Sequence, residues 1–434
     1  MAPPRRSTRI KKVASSPSPS APRQTARTVL RRSTRRIANS PSPNPFVPRF
    51  PSLHNNLEPA DADSAPKTFS SCLTEAIGGS GMLPTMFDGV VASSTRDLTQ
   101  TEQVYTPDQQ LQWLASGGQI VNSAKDVFHE HHLFNTFLNR VVDEADKEEV
   151  KFMRLLHPSS TSSGLPHIIH SEADTTSHIN SRLVWPMVHV LQHVLGLAAQ
   201  AAGIPLETPY VASCHGKRGA GTPDAILVYK DQVCGIGEWK TANAMPEAFI
   251  ETVVESLQAV EESNLGVPVR FWWGNQDNHG PTDALFRKAM CQVFGQMQSR
   301  PNVKVACLSS FDTTVFLYRH PEKPNFLFIS EAISSQFITV MDFMAMFALA
   351  LGITELKPEH IPQMNRENWD CLKDYYRRYP QLTAGLDHRR DEMVKILQEH
   401  RQTLDQEAAR SNAGKIQKRT RILQDREQYD RMTQ

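Results

Sequence analysis

From residue 171 to about 352, strand-like and helix-like apolar stretches alternate along the chain. That alternation predicts an α/β core. Two apolar runs, Ala225–Tyr229 and Val233–Gly237, flank Lys230-Asp231, which predicts a β-hairpin. Ile338–Leu351 is almost unbroken apolar sequence with one acid, Asp342. It predicts a buried helix, because it is too short for a bilayer. Ahead of the core, residues 107–156 have helical spacing in two parts. Leu111 and Leu114 sit in a short first piece that Gly117-Gly118 should end. Val127, Leu133, Phe134, Phe137, Leu138 and Val141 mark one or two further helices. Residues 68–103 show no period and are expected to be irregular, and 158–164 read as a Ser/Thr-rich loop. Residues 355–380 read as a covering helix and loop. Residues 386–433 read as a charged helix with thinly spaced Val394, Leu397, Leu404, Ile416 and Leu423, interrupted at Gly414. This segment is either a solvent-exposed helix or a weak coiled coil.

Composition narrows the class. With 434 residues, 39% hydrophobic, 21% charged and a mean hydropathy of −0.42, a membrane protein, a collagen-like fibre and a fully disordered chain are excluded. The net charge of +1 conceals a strong asymmetry. Residues 1–50 carry 12 basic and no acidic residues, residues 51–385 are net −13, and residues 386–434 are net +2. Residues 1–67, rich in Pro, Ser and Arg, have too little apolar sequence to offset chain entropy and are expected to be disordered. They hold a loose duplication, RRSTRI at 5–10 and RRSTRRI at 31–37, each followed by Ser-Pro steps. Such clusters suit nuclear import or phosphate contacts, against a plain solvated tail as the alternative. None of the six cysteines lies within four residues of another, so neither a CxxC zinc site nor a dense disulfide framework is predicted. The expected organisation is a basic tail (1–67), a helical extension (68–164), a core (165–352), a covering segment (353–385) and a C-terminal helix (386–434). The expected location is nuclear, otherwise cytoplasmic, with no membrane partner.

The chemistry concentrates in GTPDAILVYKDQVCGIGEWKT, residues 221–241. Pro223-Asp224 opens the first hairpin strand and Glu238-Trp239-Lys240 closes the second. Alternation along a strand puts Glu238 and Lys240 on one face, and the hairpin brings Asp224 beside them. Two carboxylates and an ammonium clustered at strand ends call for a partner, and a divalent cation supplies one.

Pro-Asp, thirteen residues, then Glu-x-Lys resembles the PD-(D/E)xK nuclease superfamily, and specifically its fungal nuclease-like domains. SEADTTSHINSRLVWPMV (171–188) looks like the family's first core helix, with Pro186 expected to kink or restart it. Cys291–Met297 looks like its later Gln-containing helix, and Val303–Ser309 and Thr313–Arg319 read as two further strands. The resemblance covers roughly residues 165–330. It implies a restriction-endonuclease-like α/β core with a central mixed sheet flanked by helices. It further implies that Asp224 and Glu238, with the Trp239 carbonyl, hold Mg²⁺ or Mn²⁺. Lys240 would assist the attacking water, and Glu172 would be the helix carboxylate. Gln292 matches the family's Gln position loosely, since the usual aromatic four residues on is Gln296. The implied activity is phosphodiester hydrolysis of DNA or RNA. Lys217 and Arg218, on the Gly-rich loop 216–221, are candidate backbone contacts, or incidental charges on a mobile loop.

Other motifs carry less. His189 and His193 lack the Glu of HExxH, His129–His132 lacks a further ligand, and no GxxxxGK[ST] loop exists. Trp272-Trp273 reads as packing rather than a base-stacking platform. The alternative function is a catalytically inactive nuclease-like adaptor in the nucleus, with a protein partner or self-association through its C-terminal helix.

Overall fold

The structure is a computed structural model that describes residues 67–78, 83–87, 97–156, 164–205, 207–213, 221–262, 266–271, 273, 281–379 and 389–432. The N-terminal tail through residue 66, Lys217, Arg218 and Trp272 lie outside the described residues. Ahead of the core, the chain forms α1 (Phe69–Leu73), β1 (Thr85–Met86), α2 (Gln100–Gln103), β2 (Trp113–Ser116), α3 (Ile120–Glu130), α4 (His132–Leu138) and α5 (Lys147–Leu156). Next come β3 (Ile168–Ile169), α6 (Glu172–Ile179), a π-helical turn (Asn180–Val184), α7 (Trp185–Ala202), β4 (Tyr210–Ala212), β5 (Ala225–Tyr229) and β6 (Gln232–Trp239). The chain continues through α8 (Glu247–Glu262), β7 (Val269–Arg270), α9 (Pro281–Gln298), β8 (Val305–Ser309), β9 (Thr313–Arg319), β10 (Phe326–Ile329) and β11 (Ile333–Ser334). It ends with α10 (Val340–Ala350), α11 (Arg366–Arg378) and α12 (Arg389–Met432).

A mixed sheet organises these elements in the order β4-β5-β6-β8-β9-β10-β2-β7, with β11 also paired to β9. The β6–β8 and β10–β2 pairs are parallel and the others antiparallel. β1 and β3 form a separate two-stranded parallel sheet. The β5–β6 hairpin turns through Lys230 and Asp231, both left-handed (φ 52° and 57°). Positive φ at both central residues matches the right-handed twist of the strands.

Helices cover both faces of the sheet, so β8, β9 and β10 are buried along their whole length. A strand covered on both faces reads as a continuous apolar run. On one face Leu308, Val315, Leu317 and Ile329 meet Phe249 and Val253 of α8 and Phe286 and Met290 of α9. On the other, Phe343 of α10 packs edge-on against Phe316. Phe347 lies where a side chain at Gly235 would be. Every residue of α10 is buried, as the apolar run predicts. No helix among the described residues is long and apolar enough to cross a membrane.

Four local expectations are corrected or refined. The piece around Leu111 and Leu114 is not helical: Trp113–Ser116 is the buried strand β2, held by β10 and β7. Its helix-like spacing is overridden by pairing with a strand about 210 residues later in the chain. Val141 is half exposed and bridges Thr68 instead of continuing a helix. Gly414 does not interrupt α12; one glycine costs a helix only about 1 kcal/mol. Pro186 does not break the helix: the backbone stays right-handed helical from α6 through Val184 and Trp185 into α7, and the π-helical turn directly ahead of Pro186 accommodates its missing N–H.

Candidate metal and catalytic site

The hairpin register builds the site. Ala225 pairs with Gly237, so Asp224, one residue before β5, sits across from Glu238. Asp224 Oδ2 accepts the Trp239 N–H at 2.7 Å, tying the start of one strand to the end of the other. The Lys240 N–H donates to the Ser309 carbonyl at 2.9 Å, so the chain stays aligned with β8 just past the end of β6. Glu238 and Lys240 share a face, and their side chains pair directly. Trp239 points to the other face and is wholly buried. A Cβ at position 237 would collide with its ring, which is why glycine stands there.

Two helices complete the cluster. Glu172 is the first residue of α6, whose N-cap Ser171 accepts the Asp174 N–H at 3.3 Å. A carboxylate is favoured in a helix's first turn. Glu172 Oε1 accepts from Lys240 Nζ at 3.2 Å, so one ammonium bridges two carboxylates. From α9, Gln292 donates to Glu238 Oε1, and Gln296, one turn on, donates to Glu238 Oε2 at 2.7 Å. Glu238 and Lys240 are each 1% exposed. Asp224 is half-buried and the Glu172 side chain is 34% exposed, so the open side of the cluster lies at these two carboxylates.

The electrostatics follow from this burial. Asp224 is pushed up to about 7, first by burial and then by the neighbouring Glu238 charge, against the Trp239 N–H and Lys240, which pull it down. Burial also raises Glu238, with Lys240 and Gln296 opposing. Burial works against the Lys240 ammonium, but the surrounding carboxylates, Glu238 foremost, outweigh it and raise its pKa.

The donor set fits a hard divalent cation. Oxygens of Glu172, Asp224 and Glu238 lie within 4.8 Å of one another. Carboxylates at that spacing suit Mg²⁺ or Mn²⁺ with water completing the shell. Asp224 binds the Trp239 N–H through Oδ2 and Glu172 binds Lys240 through Oε1, so each carboxylate keeps a second oxygen for a cation. Gln292 Oε1 and Gln296 Oε1 are buried and have no hydrogen-bond partner among the described residues. A group supplying positive charge or water protons would relieve such oxygens.

The four residues Glu172, Asp224, Glu238 and Lys240, expected as one group, are brought together. Trp239 enters through its amide N–H. Gln296 was legible only as a departure from the family's pattern; its role needed the helix to be docked. The signal was two glutamines at i and i+4 on a mostly apolar helix, which share one face. His193 packs against the rings of Phe137 and Phe152. Trp273 is buried and donates its ring N–H to the Glu102 carbonyl. No family model, curated protein or solved structure matches this chain.

Proposed function

We propose that this protein is a divalent-cation-dependent nuclease with a restriction-endonuclease-like core, hydrolysing phosphodiester bonds of DNA or RNA. The observation that carries the reading is the single cluster in which Glu172, Asp224 and Glu238 converge, with Lys240 Nζ bonded to Glu172 and Glu238. Its architectural support is the order of elements: an acidic helix, the Asp224/Glu238 hairpin, a Gln-bearing helix, and then β8 parallel to β6.

Asp224, Glu238 and the Trp239 carbonyl, with Glu172, would hold Mg²⁺ or Mn²⁺. Bound there, the cation supplies a bound water of lowered pKa and neutralises charge building on the phosphoryl oxygens. Gln292 and Gln296 fix the Glu238 carboxylate, and with Lys240 they take up all but one of its acceptor sites, the one left being on Oε2. Lys240, held by two carboxylates, keeps its proton and its position near the reacting phosphate. The half-exposed Asp224 and Glu172 form the edge that substrate reaches. Preorganised charge of this kind is the main source of stabilisation for such a transition state.

The burial of Lys240 and Glu238 favours a second reading, in which the cluster is a closed polar network in a non-catalytic adaptor. One assay separates the two. Full-length protein is incubated with duplex DNA, single-stranded DNA and RNA in Mg²⁺ or Mn²⁺, beside the Asp224→Ala and Lys240→Ala proteins. Cation-dependent cleavage that falls about a hundredfold or more in both variants supports the nuclease. Absence of cleavage on all three substrates supports the adaptor.

A further inference from the structure

The C-terminal helix α12 packs on the body only near its start. Near its start Met393, Ile396 and Leu397 are buried, and Arg401 bonds Asn368 of α11, which docks the helix on the body. From Arg401 to Asp425 every residue whose side chain is described is exposed. At 1.5 Å per residue, the stretch from 401 to 432 extends roughly 45 Å.

A free-standing helix is usually laced with alternating charges that pair at i, i+4. This one is not. The seventeen residues Ala408–Gln424 contain no acid and five bases: Arg410, Lys415, Lys418, Arg419 and Arg421. None of the five forms an ion pair among the described residues. Lys415 and Arg419 stand at i, i+4, and Lys418 and Arg421 at i, i+3, spacings at which like charges destabilise a helix. Ser411, Asn412 and Gly414 add poor helix formers to the same stretch.

The charges are also sorted by face. At 100° per residue, Arg410, Arg421, Lys418, Lys415 and Arg419 fall within about half of the helix circumference. Ala409, Ala413, Ile416, Thr420 and Leu423 occupy a narrow stripe on the opposite side. A helix that repels itself along one face is completed by a polyanion lying on that face. The body between residues 51 and 385 is net −13 and offers nucleic acid no comparable attraction.

From this we infer that the exposed part of α12 is a nucleic-acid-binding arm whose basic face takes the phosphate backbone of duplex DNA. The dimensions agree. A helix about 10–12 Å across matches a major groove about 12 Å wide, and Arg410–Arg421 spans roughly 16 Å, the axial reach of about ten duplex phosphates. The arm is separate from the Asp224 cluster, and its binding does not depend on the catalytic reading.

The test uses the full chain and a fluorescently labelled mixed-sequence duplex of about 30 base pairs, titrated over a salt series without divalent cation. The variant replaces Arg410, Lys415, Lys418, Arg419 and Arg421 with Gln, an exposed-surface change that keeps helix propensity. Circular dichroism and thermal unfolding matching the parent establish that it folds. The expected result is an affinity loss of at least tenfold and a flattening of log K against log[salt] by about 4, near 0.9 for each phosphate no longer neutralised. Omitting divalent cation makes the titration read binding without cleavage, which separates this inference from the nuclease proposal. Equal affinity and equal salt slope in the Gln variant would overturn it. So would binding that appears only on phosphatidylserine vesicles and not on DNA.

Discussion

Lys240→Met removes the ammonium that bridges Glu172 and Glu238, and its cost can be worked from burial. Lys240 and Glu238 are each 1% exposed and paired to each other, whereas Glu172, the other partner, is about a third exposed and can be rehydrated. The penalty therefore falls on Glu238, which keeps only the amide N–H donors of Gln292 and Gln296. Stripping one member from a buried pair costs about 3–5 kcal/mol when the other stays charged. For a unit of 370 residues, roughly 1.3 °C per kcal/mol gives a Tm lowered by about 4–6 °C. Glu238 has an escape, since burial already favours its neutral form. Acid should therefore relieve the defect. The assay is thermal or urea unfolding of both proteins at pH 8 and pH 5.5 in a chelator. The loss should be larger at pH 8 than at pH 5.5, because burial raises the Glu238 pKa and lets the stranded carboxylate take up a proton as pH falls. A Glu238→Gln/Lys240→Met double variant should be more stable at pH 8 than Lys240→Met alone, because no buried charge is left unpaired. A loss below about 1 kcal/mol at pH 8, or one that ignores pH, would refute the claim that Lys240 neutralises a buried carboxylate.

Other outcomes follow from the same geometry. Asp224 holds its proton to about pH 7 in the fold against 3.8 for an ordinary aspartate, so its ionisation penalises the cation-free fold above pH 7. That penalty, at most about 4 kcal/mol, fades as pH falls from 7 toward 4, so Mg²⁺ or Mn²⁺ should raise Tm more at pH 8 than at pH 6. Equal shifts at the two pH values would exclude Asp224 as a ligand. Gln296→Leu leaves Glu238 Oε2 without a donor and should lower stability by about 1–3 kcal/mol in denaturant unfolding, while Gln296→Glu should cost more by adding a buried like charge. Gly237→Ala drives a methyl into the Trp239 ring, and a loss of about 1–3 kcal/mol with a shifted tryptophan emission is expected. Deleting residues 1–50, the +12 tail, should weaken nucleic-acid capture at low salt more than it changes the rate of cleavage by bound enzyme, as a KM-against-kcat comparison would read.

Local pattern was enough for several elements. The β5–β6 hairpin was legible because two apolar runs flank a two-residue turn, and α10 because its apolar run is unbroken. The Asp224–Glu238–Lys240 group followed from hairpin register alone, since pairing Ala225 with Gly237 leaves little freedom for the residues just beyond. Strand β2 was hidden. Four residues carry no usable period, and their partners, β10 and β7, come more than 150 residues later in the chain. The continuity of α12 through Gly414 is hidden for the opposite reason, since glycine is a local breaker signal whose energetic cost within a long helix is modest.

By itself, then, the sequence determined the α/β alternation, the hairpin and its clustered charges, and the separation of a basic tail from an acidic body. Each of these is written in residues that are neighbours along the chain or one turn apart. Tertiary structure alone decided that Lys240 bridges Glu172 and Glu238, that Gln292 and Gln296 grip both oxygens of Glu238, and that the sheet extends through β2 to β7. Apart from Lys240–Glu238, which are neighbours on one strand face, those contacts join residues from 54 to more than 200 positions apart. Their energies depend on burial and on the angle at which helices dock, which no local periodicity records.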